Sequence, residues 1–154
     1  VTIDPAVQIV EGDLDEALRV SRHIPEFDHP YNQAEYLKRL KGVKHLILTA
    51  QIEKNSVAFK VGYDRFQDGS FYSWMGGVDP NYRRKGLATA LADYQENWAA
   101  RQGYGSVRIK TYRRHNHMLQ FALNRGFRIV RIIPNPVESE TILWLQKELV
   151  NSPY

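Results

Sequence analysis

The residues whose types and spacing best suit chemistry are Arg83, Arg84, Lys85 and Gly86, followed by Leu87, Ala88 and Thr89. Three cations stand against a glycine where a helix begins. A helix start leaves about four backbone amides without partners and carries a partial positive charge. A Ser, Thr, Asp or Asn side chain normally answers both, and none stands at this start. A phosphate would serve instead. Gly86 has no Cβ, so backbone and phosphate can approach closely, Ala88 keeps the next turn low, and Thr89 adds a hydroxyl. The basic side chains neutralise charge that the amides do not reach. The plain alternative is a solvated basic start to an ordinary helix, which the dipole opposes by only about 0.3–1 kcal/mol per cation.

The surrounding chain must hold that turn in place. Its 154 residues suit one domain with one core, and 43% apolar with 25% charged residues is ordinary for a soluble globular protein. No apolar run approaches the roughly 20 residues that span a bilayer, and the first residues lack the basic and apolar regions of a signal peptide. The chain has no cysteine, which excludes disulfides, thiolate catalysis and Cys-based zinc sites. A cytoplasmic location is the expectation. The net charge of +4 is unevenly spread. Between residues 81 and 131 the cations meet only Asp93 and Glu96, whereas Glu11, Asp13, Asp15 and Glu16 form an acidic cluster near the start. One region is built for an anion and another is not.

Periodicity predicts the elements. "VQIVEGD" reads as a strand ending in a turn, and "LDEALRVSRHI" as a helix with Leu14, Leu18 and Ile24 at helical spacing. Prolines break it, and "NQAEYLKRL" restarts a helix with Asn32 as its cap. "HLILTAQIE", "VAFKVGYDRF" and "SFYSWMGGV" form an antiparallel meander separated by "KNS" and "QDGS". Leu87, Ala90, Leu91, Tyr94 and Trp98 then mark a long helix that ends near "RQGYG". A strand "SVRIKTY", a short helix "HMLQFALNR" and a strand "GFRIVRII" follow; "ETILWLQKEL" reads as a last strand, with a helix as the alternative. The strand–helix–strand step in the middle is a crossover, so its two strands should be parallel. The expected fold is one α/β domain over residues 1–154. It has a mixed, largely antiparallel sheet, helices on both faces and one parallel pair.

No Walker P-loop is present, and "GYG" at Gly103 to Gly105 ends a helix rather than opening one, so it is not a dinucleotide fingerprint. With these removed, the arrangement resembles the GNAT superfamily of acyl-CoA N-acyltransferases. Their signature is a strand, then V-x-P-x-[YF]-R-x-x-G-[IL]-[GA] opening a helix. Here it reads Val78-Asp79-Pro80-Asn81-Tyr82-Arg83-Arg84-Lys85-Gly86-Leu87-Ala88. A second block of the family, an Asn, a short helix and then G-F entering a strand, corresponds to Asn116, "HMLQFALNR" and Gly126-Phe127. The resemblance covers residues 44–133 well and the N-terminal helices loosely. It implies acetyl-CoA as cosubstrate and an amine acceptor, either a small molecule or a peptide or protein, with no metal and no membrane partner. The protein would be a monomer or homodimer. Backbone amides from Arg84 through Lys85, Gly86, Leu87 and Ala88 to Thr89 would hold the pyrophosphate, with Arg83 at the family's basic position. The strand from Met75 to Val78 would splay from "SVRIKTY" and pair with the pantetheine arm, which the bare backbone of Gly76-Gly77 suits. Asn116 would lie near the coenzyme arm, with a helix N-cap as its other reading, and Phe121 would lie beside it.

The implied reaction is direct attack of an amine on the thioester. It needs a neutral amine, a donor for the developing oxyanion, placed near the Met75 or Gly76 amide, and an acid for the leaving thiolate. The family often carries a Tyr four residues before the G of G-F; this chain has Ala122 there. Tyr112 is the replacement candidate, unless the thiolate leaves unaided. Glu26, Asp28 and Glu53 are candidate bases, each with surface solvation as its plain reading. Strand alternation groups Tyr72, Trp74 and Gly76 on one face and Phe71, Ser73 and Met75 on the other. "HNH" at His115 to His117 lacks an acidic partner and gives no metal site. A silent acyl-CoA-binding domain is the alternative function, and a nucleic-acid-binding module ranks last because the arginines lie on different elements. The acceptor stays open.

Overall fold

The computed structural model of the chain describes residues 6–27 and 29–150. The strands are β1 (Val7–Glu11), β2 (His45–Ile52), β3 (Asn55–Tyr63), β4 (Ser70–Val78), β5 (Ser106–Tyr112), β6 (Arg128–Ile133) and β7 (Ile142–Glu148). The helices are α1 (Leu14–Ser21), α2 (Gln33–Leu40), α3 (Leu87–Arg101) and α4 (Asn116–Asn124). Local chemistry sets several of these bounds. Asp13 caps α1 by accepting from the Glu16 amide at 3.1 Å, and Asn32 caps α2 by accepting from Glu35 at 3.0 Å. Gly103, at φ +93, turns the chain out of α3 as the sequence predicts, with its amide donating to Ala100 and that of Tyr104 to Ala99. α1 is shorter than its pattern: it stops at Ser21, and Ile24 is buried from the turn beyond.

The strands form one sheet in the order β1-β2-β3-β4-β5-β7-β6. Every pairing is antiparallel except β4 with β5. "ETILWLQKEL" resolves as a strand: β7 lies between β5 and β6, with Leu143 and Leu145 buried. α1 and α2 cover one face over a cluster that includes Leu18, Tyr36, Phe59, Val61 and Tyr72. α3 and α4 cover the other over Leu48, Phe71, Leu91, Val107, Ala122 and Leu145. Among the described residues no helix is long and apolar enough to cross a membrane.

Two irregularities shape the centre. β4 and β5 pair only at Ser70↔Ser106, Phe71↔Val107 and Tyr72↔Arg108, and then part. β5 stays in the sheet through β7 as far as Tyr112↔Ile142, so past Tyr72 the sheet is split. Between β3 and β4 the register runs Val61↔Met75 and then Gly62↔Ser73, which leaves Trp74 as the extra residue of a bulge. The bulge corrects the alternation expected along β4. Trp74 and Met75 both pack against the α1–α2 cluster with Tyr72, and Gly77 points at Ile24. Gly76 turns toward Lys60 on the other face.

Gly62, beside this bulge, has no room for a side chain. A Cβ there would meet the Phe71 ring and lie 2.8 Å from both the Tyr72 carbonyl oxygen and Gln95 Nε2. Gly62→Ala should therefore cost about 1–3 kcal/mol, the usual range for overpacking a tight core. A thermal melt checks it; an unchanged Tm would mean that the β3–β4 register is not as described.

Candidate active site

The turn after β4 is arranged around its own backbone. Pro80–Tyr82 form a short 3-10 turn in which Asp79 accepts from the Asn81 amide at 2.9 Å. Arg84 then takes φ +64 and Gly86 φ +79. The left-handed conformation costs a non-glycine residue roughly 1–2 kcal/mol, so Arg84 holds strain that the rest of the fold sustains. The result is a concave run of amides opening into α3, the geometry that binds anions. No side chain caps α3. Its first amide with a backbone partner is that of Ala90, which donates to Gly86 at 3.0 Å. Among the described residues the amides from Arg84 to Thr89 meet no acceptor.

These amides face a cleft of about 630 Å³, within the range of ligand sites. One wall is the end of β4, with Gly76, Gly77 and Val78; the floor is the start of α3, with Gly86, Leu87, Ala88 and Thr89. The far wall is α4, through His117, Met118 and Phe121. Beyond Tyr72 the edge of β4 that faces β5 has no strand partner, so its backbone groups are open to a ligand. Arg83 arches over the turn. Its Nε donates to the Val78 carbonyl at 3.2 Å, and its Nη2 donates to both oxygens of Glu26 at 3.0 and 2.7 Å. α4 is anchored to α3 by Arg125, which pairs with Asp93 and Glu96 at 2.8 Å each; Glu96 also takes Lys147 at 2.6 Å.

The cleft gathers most of the residues singled out as coenzyme contacts: Gly76, Val78, Arg83, Arg84 and the run from Gly86 to Thr89, with Phe121 opposite. Others stand apart. The Met75 side chain packs toward α1 and α2 because the bulge turns it over. Lys85 is exposed on the loop and does not line the cleft. Asn116 is the first residue of α4 and exposed; His115 occupies the cap position without a side-chain cap bond, so Asn116 is no N-cap. Of the acid–base candidates, Glu26 borders the cleft but its carboxylate is held by Arg83. Glu53 is exposed at the β2–β3 turn, at φ +50, away from the cleft. Tyr112 ends β5 on the α1–α2 side, meets His115 edge-on with ring centres 6.2 Å apart, and lies under the Arg114 guanidinium at 4.3 Å. Asp28 lies outside the described residues. No group of three or more acidic or His side chains among the described residues could hold a metal ion.

Sequence reading missed Lys60. It pairs with Gly76 across β3–β4 and faces α3 and α4, and its Cγ lies 3.5 Å from where a Gly76 Cβ would stand. Lys60 and Gly76 line the cleft side by side. Lys60 also borders a void of about 20 Å³ with Ser73, Gln95, Phe121 and Ala122. Burial pushes its ammonium down to about 8, against a smaller upward pull from Glu96. The signal was a lone cation inside the apolar strand "VAFKVGY". His117 was likewise read only as part of "HNH", although it lines the cleft.

Comparison with known proteins agrees with this geometry. No curated protein sequence matches the chain. Solved structures do. The ribosomal-protein-S18-alanine N-acetyltransferase from Escherichia coli is 16% identical, with 93% of this chain and 94% of that one covered at a TM-score of 0.76. The aminoglycoside 6'-N-acetyltransferase from Enterococcus faecium is also 16% identical, covering 96% and 99% at 0.76. YncA from Salmonella typhimurium, solved with its cofactor acetyl-CoA, is 13% identical, covering 97% of each chain at 0.72. At such identities the likeness is one of fold. The sequence profile of the acetyltransferase (GNAT) family matches residues 13–127, which reach from the cap of α1 to the residue before β6 and include the splayed strands and the amide-lined turn. The chain belongs to the acetyltransferase (GNAT) family.

Proposed function

We propose that the protein transfers an acetyl group from acetyl-CoA to the amine of an acceptor by direct attack on the thioester. The observation that carries this reading is the run of unpartnered amides from Arg84 to Thr89, opening on a cleft beside the unpaired edge of β4. The diphosphate occupies those amides and the start of the α3 dipole. Arg83 adds charge from above and is positioned by Glu26. The pantetheine arm pairs with β4 as an added strand, which brings the thioester to Met75 and Gly76, where a backbone amide receives the charge developing on the carbonyl oxygen. The acceptor nitrogen forms its bond to the carbonyl carbon as the carbon–sulfur bond breaks. Its proton leaves to solvent through the split between β4 and β5.

The sulfur needs a proton, and Ala122 offers no hydroxyl. Lys60 fills this role: its side chain enters the cleft across Gly76 and borders the void at Ala122. The Lys60 ammonium gives its proton to the sulfur, coenzyme A departs as the thiol, and solvent restores the ammonium.

The neighbours do not choose the acceptor, since one is named for a ribosomal-protein alanine and another for an aminoglycoside. The test is a thermal shift with acetyl-CoA followed by thiol release over a panel of amines. The expected result is a Tm that rises with coenzyme concentration, as ligand linkage requires, and thiol release with at least one amine. No shift at millimolar coenzyme would overturn the reading. A shift with no release from any amine would favour a silent coenzyme-binding domain, the reading to which Ala122 points.

A further inference from the structure

The split between β4 and β5 has a second mouth, on the face covered by α1 and α2. The last paired residues there are Tyr72 and Arg108, and the next side chains on that face are Trp74 and Lys110, one on each diverging strand. Cations crowd this mouth over an aromatic floor. The Arg39 guanidinium lies 4.4 Å from the centre of the Trp74 ring and 5.1 Å from that of Tyr31. Arg65 lies 5.0 Å from Tyr72 and 5.6 Å from Trp144. Lys110 lies 6.0 Å from Tyr112. The nearby acids are committed: Glu35 takes Arg39 at 2.9 Å, Asp68 takes Arg108 at 3.2 Å, and Glu140 takes Arg114. Among the described residues no carboxylate pairs with Arg65 or Lys110, and both are exposed to an incoming ligand.

We infer that the acceptor is an amine that also carries an anionic group, a carboxylate or a phosphate, seated on Arg65 and Lys110 while its amine passes through the split to the thioester. This rests on the acetyl-transfer reading. Cations gathered at one mouth repel each other, and aromatic faces offset only part of that. A fixed anion would relieve it through charge-assisted hydrogen bonds, for which the Arg fork suits carboxylate and phosphate alike. Lys110 registers the crowding: its partial desolvation lowers its pKa, and Arg65 and Arg39 lower it further. A polyamine or aminoglycoside would add positive charge to the same mouth, a mismatch that costs affinity.

The test compares matched amines in the thiol-release assay: phenylalanine against phenylalaninamide, O-phosphoethanolamine against ethanolamine, and spermidine. Binding of N-acetylphenylalanine without coenzyme is measured separately by NMR titration. The anionic member of at least one pair should show kcat/KM about 10-fold above its neutral partner and above spermidine, and which pair responds separates carboxylate from phosphate. A double variant, Arg65→Gln with Lys110→Gln, should erase that ratio chiefly through KM. Equal or better turnover of the amide, ethanolamine and spermidine would overturn the inference and leave acetyl transfer standing. Carboxylate binding that the double variant abolishes, with no turnover of any amine, would support the anion site and sink the transferase reading. Neither binding nor turnover would sink both.

Discussion

Gly86→Glu should weaken coenzyme binding by roughly 100-fold or more while the protein stays folded. The new carboxylate would stand at the cap position of α3, where Gly86 takes φ +79 and the following amides have no side-chain acceptor. A charge-assisted hydrogen bond is worth about 1.5–3 kcal/mol. A tethered carboxylate that captures one or two of these amides, and repels the diphosphate as well, removes about 3 kcal/mol or more. Each 1.4 kcal/mol is tenfold in affinity. The fold tolerates the change because two effects oppose: the left-handed conformation costs a residue with a Cβ about 1–2 kcal/mol, while a negative charge at a helix start recovers about 0.3–1 kcal/mol from the helix dipole. Gly86→Ala separates them. It carries the strain without the charge and should lose about 10-fold or less. Calorimetric titration of coenzyme A into the three proteins checks the series. A Gly86→Glu variant with unchanged affinity would move the diphosphate away from this turn.

This turn was legible in the sequence because a missing cap is a local fact. Arg83 to Ala88 supply no short polar side chain, and the pattern from Leu87 to Trp98 announces the helix that needs one. The meander was legible for the same reason, since its turns and β-branched runs are adjacent in the chain. The parallel relation of β4 and β5 followed from the helix between them. Facts that depend on register were not legible. The bulge at Trp74 turns Met75 over, and beside it Gly62 packs against Phe71 and the Tyr72 backbone, contacts between segments apart in sequence. Glu26 was read as a candidate base or a solvated surface carboxylate, yet Arg83, far along the chain, meets it. Tyr112 ends the expected strand but faces away from the cleft, because Thr111 takes the buried position on the α3–α4 side. Lys60 entered the site only once the sheet set it opposite a glycine.

Lys60→Met should lower kcat by about 10²–10⁴-fold, the usual contribution of a positioned proton donor, and should change the pH profile. The donor must be the ammonium. Burial holds that group down to about 8, so wild-type kcat/KM should fall as pH rises through about 8, opposing the rise that comes from deprotonating the acceptor amine. A thiol leaves with a pKa near 8.5, so an acid of about 8 passes its proton on slightly downhill. In Lys60→Met the alkaline decline should vanish while the amine limb remains. Stability separates this from simple damage. The ammonium is less favourable in the fold than in the unfolded chain, so the unfolded state holds the extra proton between about pH 8 and the ordinary lysine value. Stability therefore climbs with pH across that window and is lowest below it. Replacing the charge with a methionine of similar length removes the desolvation cost, so Lys60→Met at pH 7 should melt no lower than the wild type. Lys60→Arg keeps a cation but holds its proton above about pH 12; it should lose the alkaline limb and most of the turnover, since guanidinium is a poor acid. A variant that melts normally, turns over normally and still declines above pH 8 would take Lys60 out of the reaction. The proton would then have to reach sulfur from water, as Ala122 alone implies.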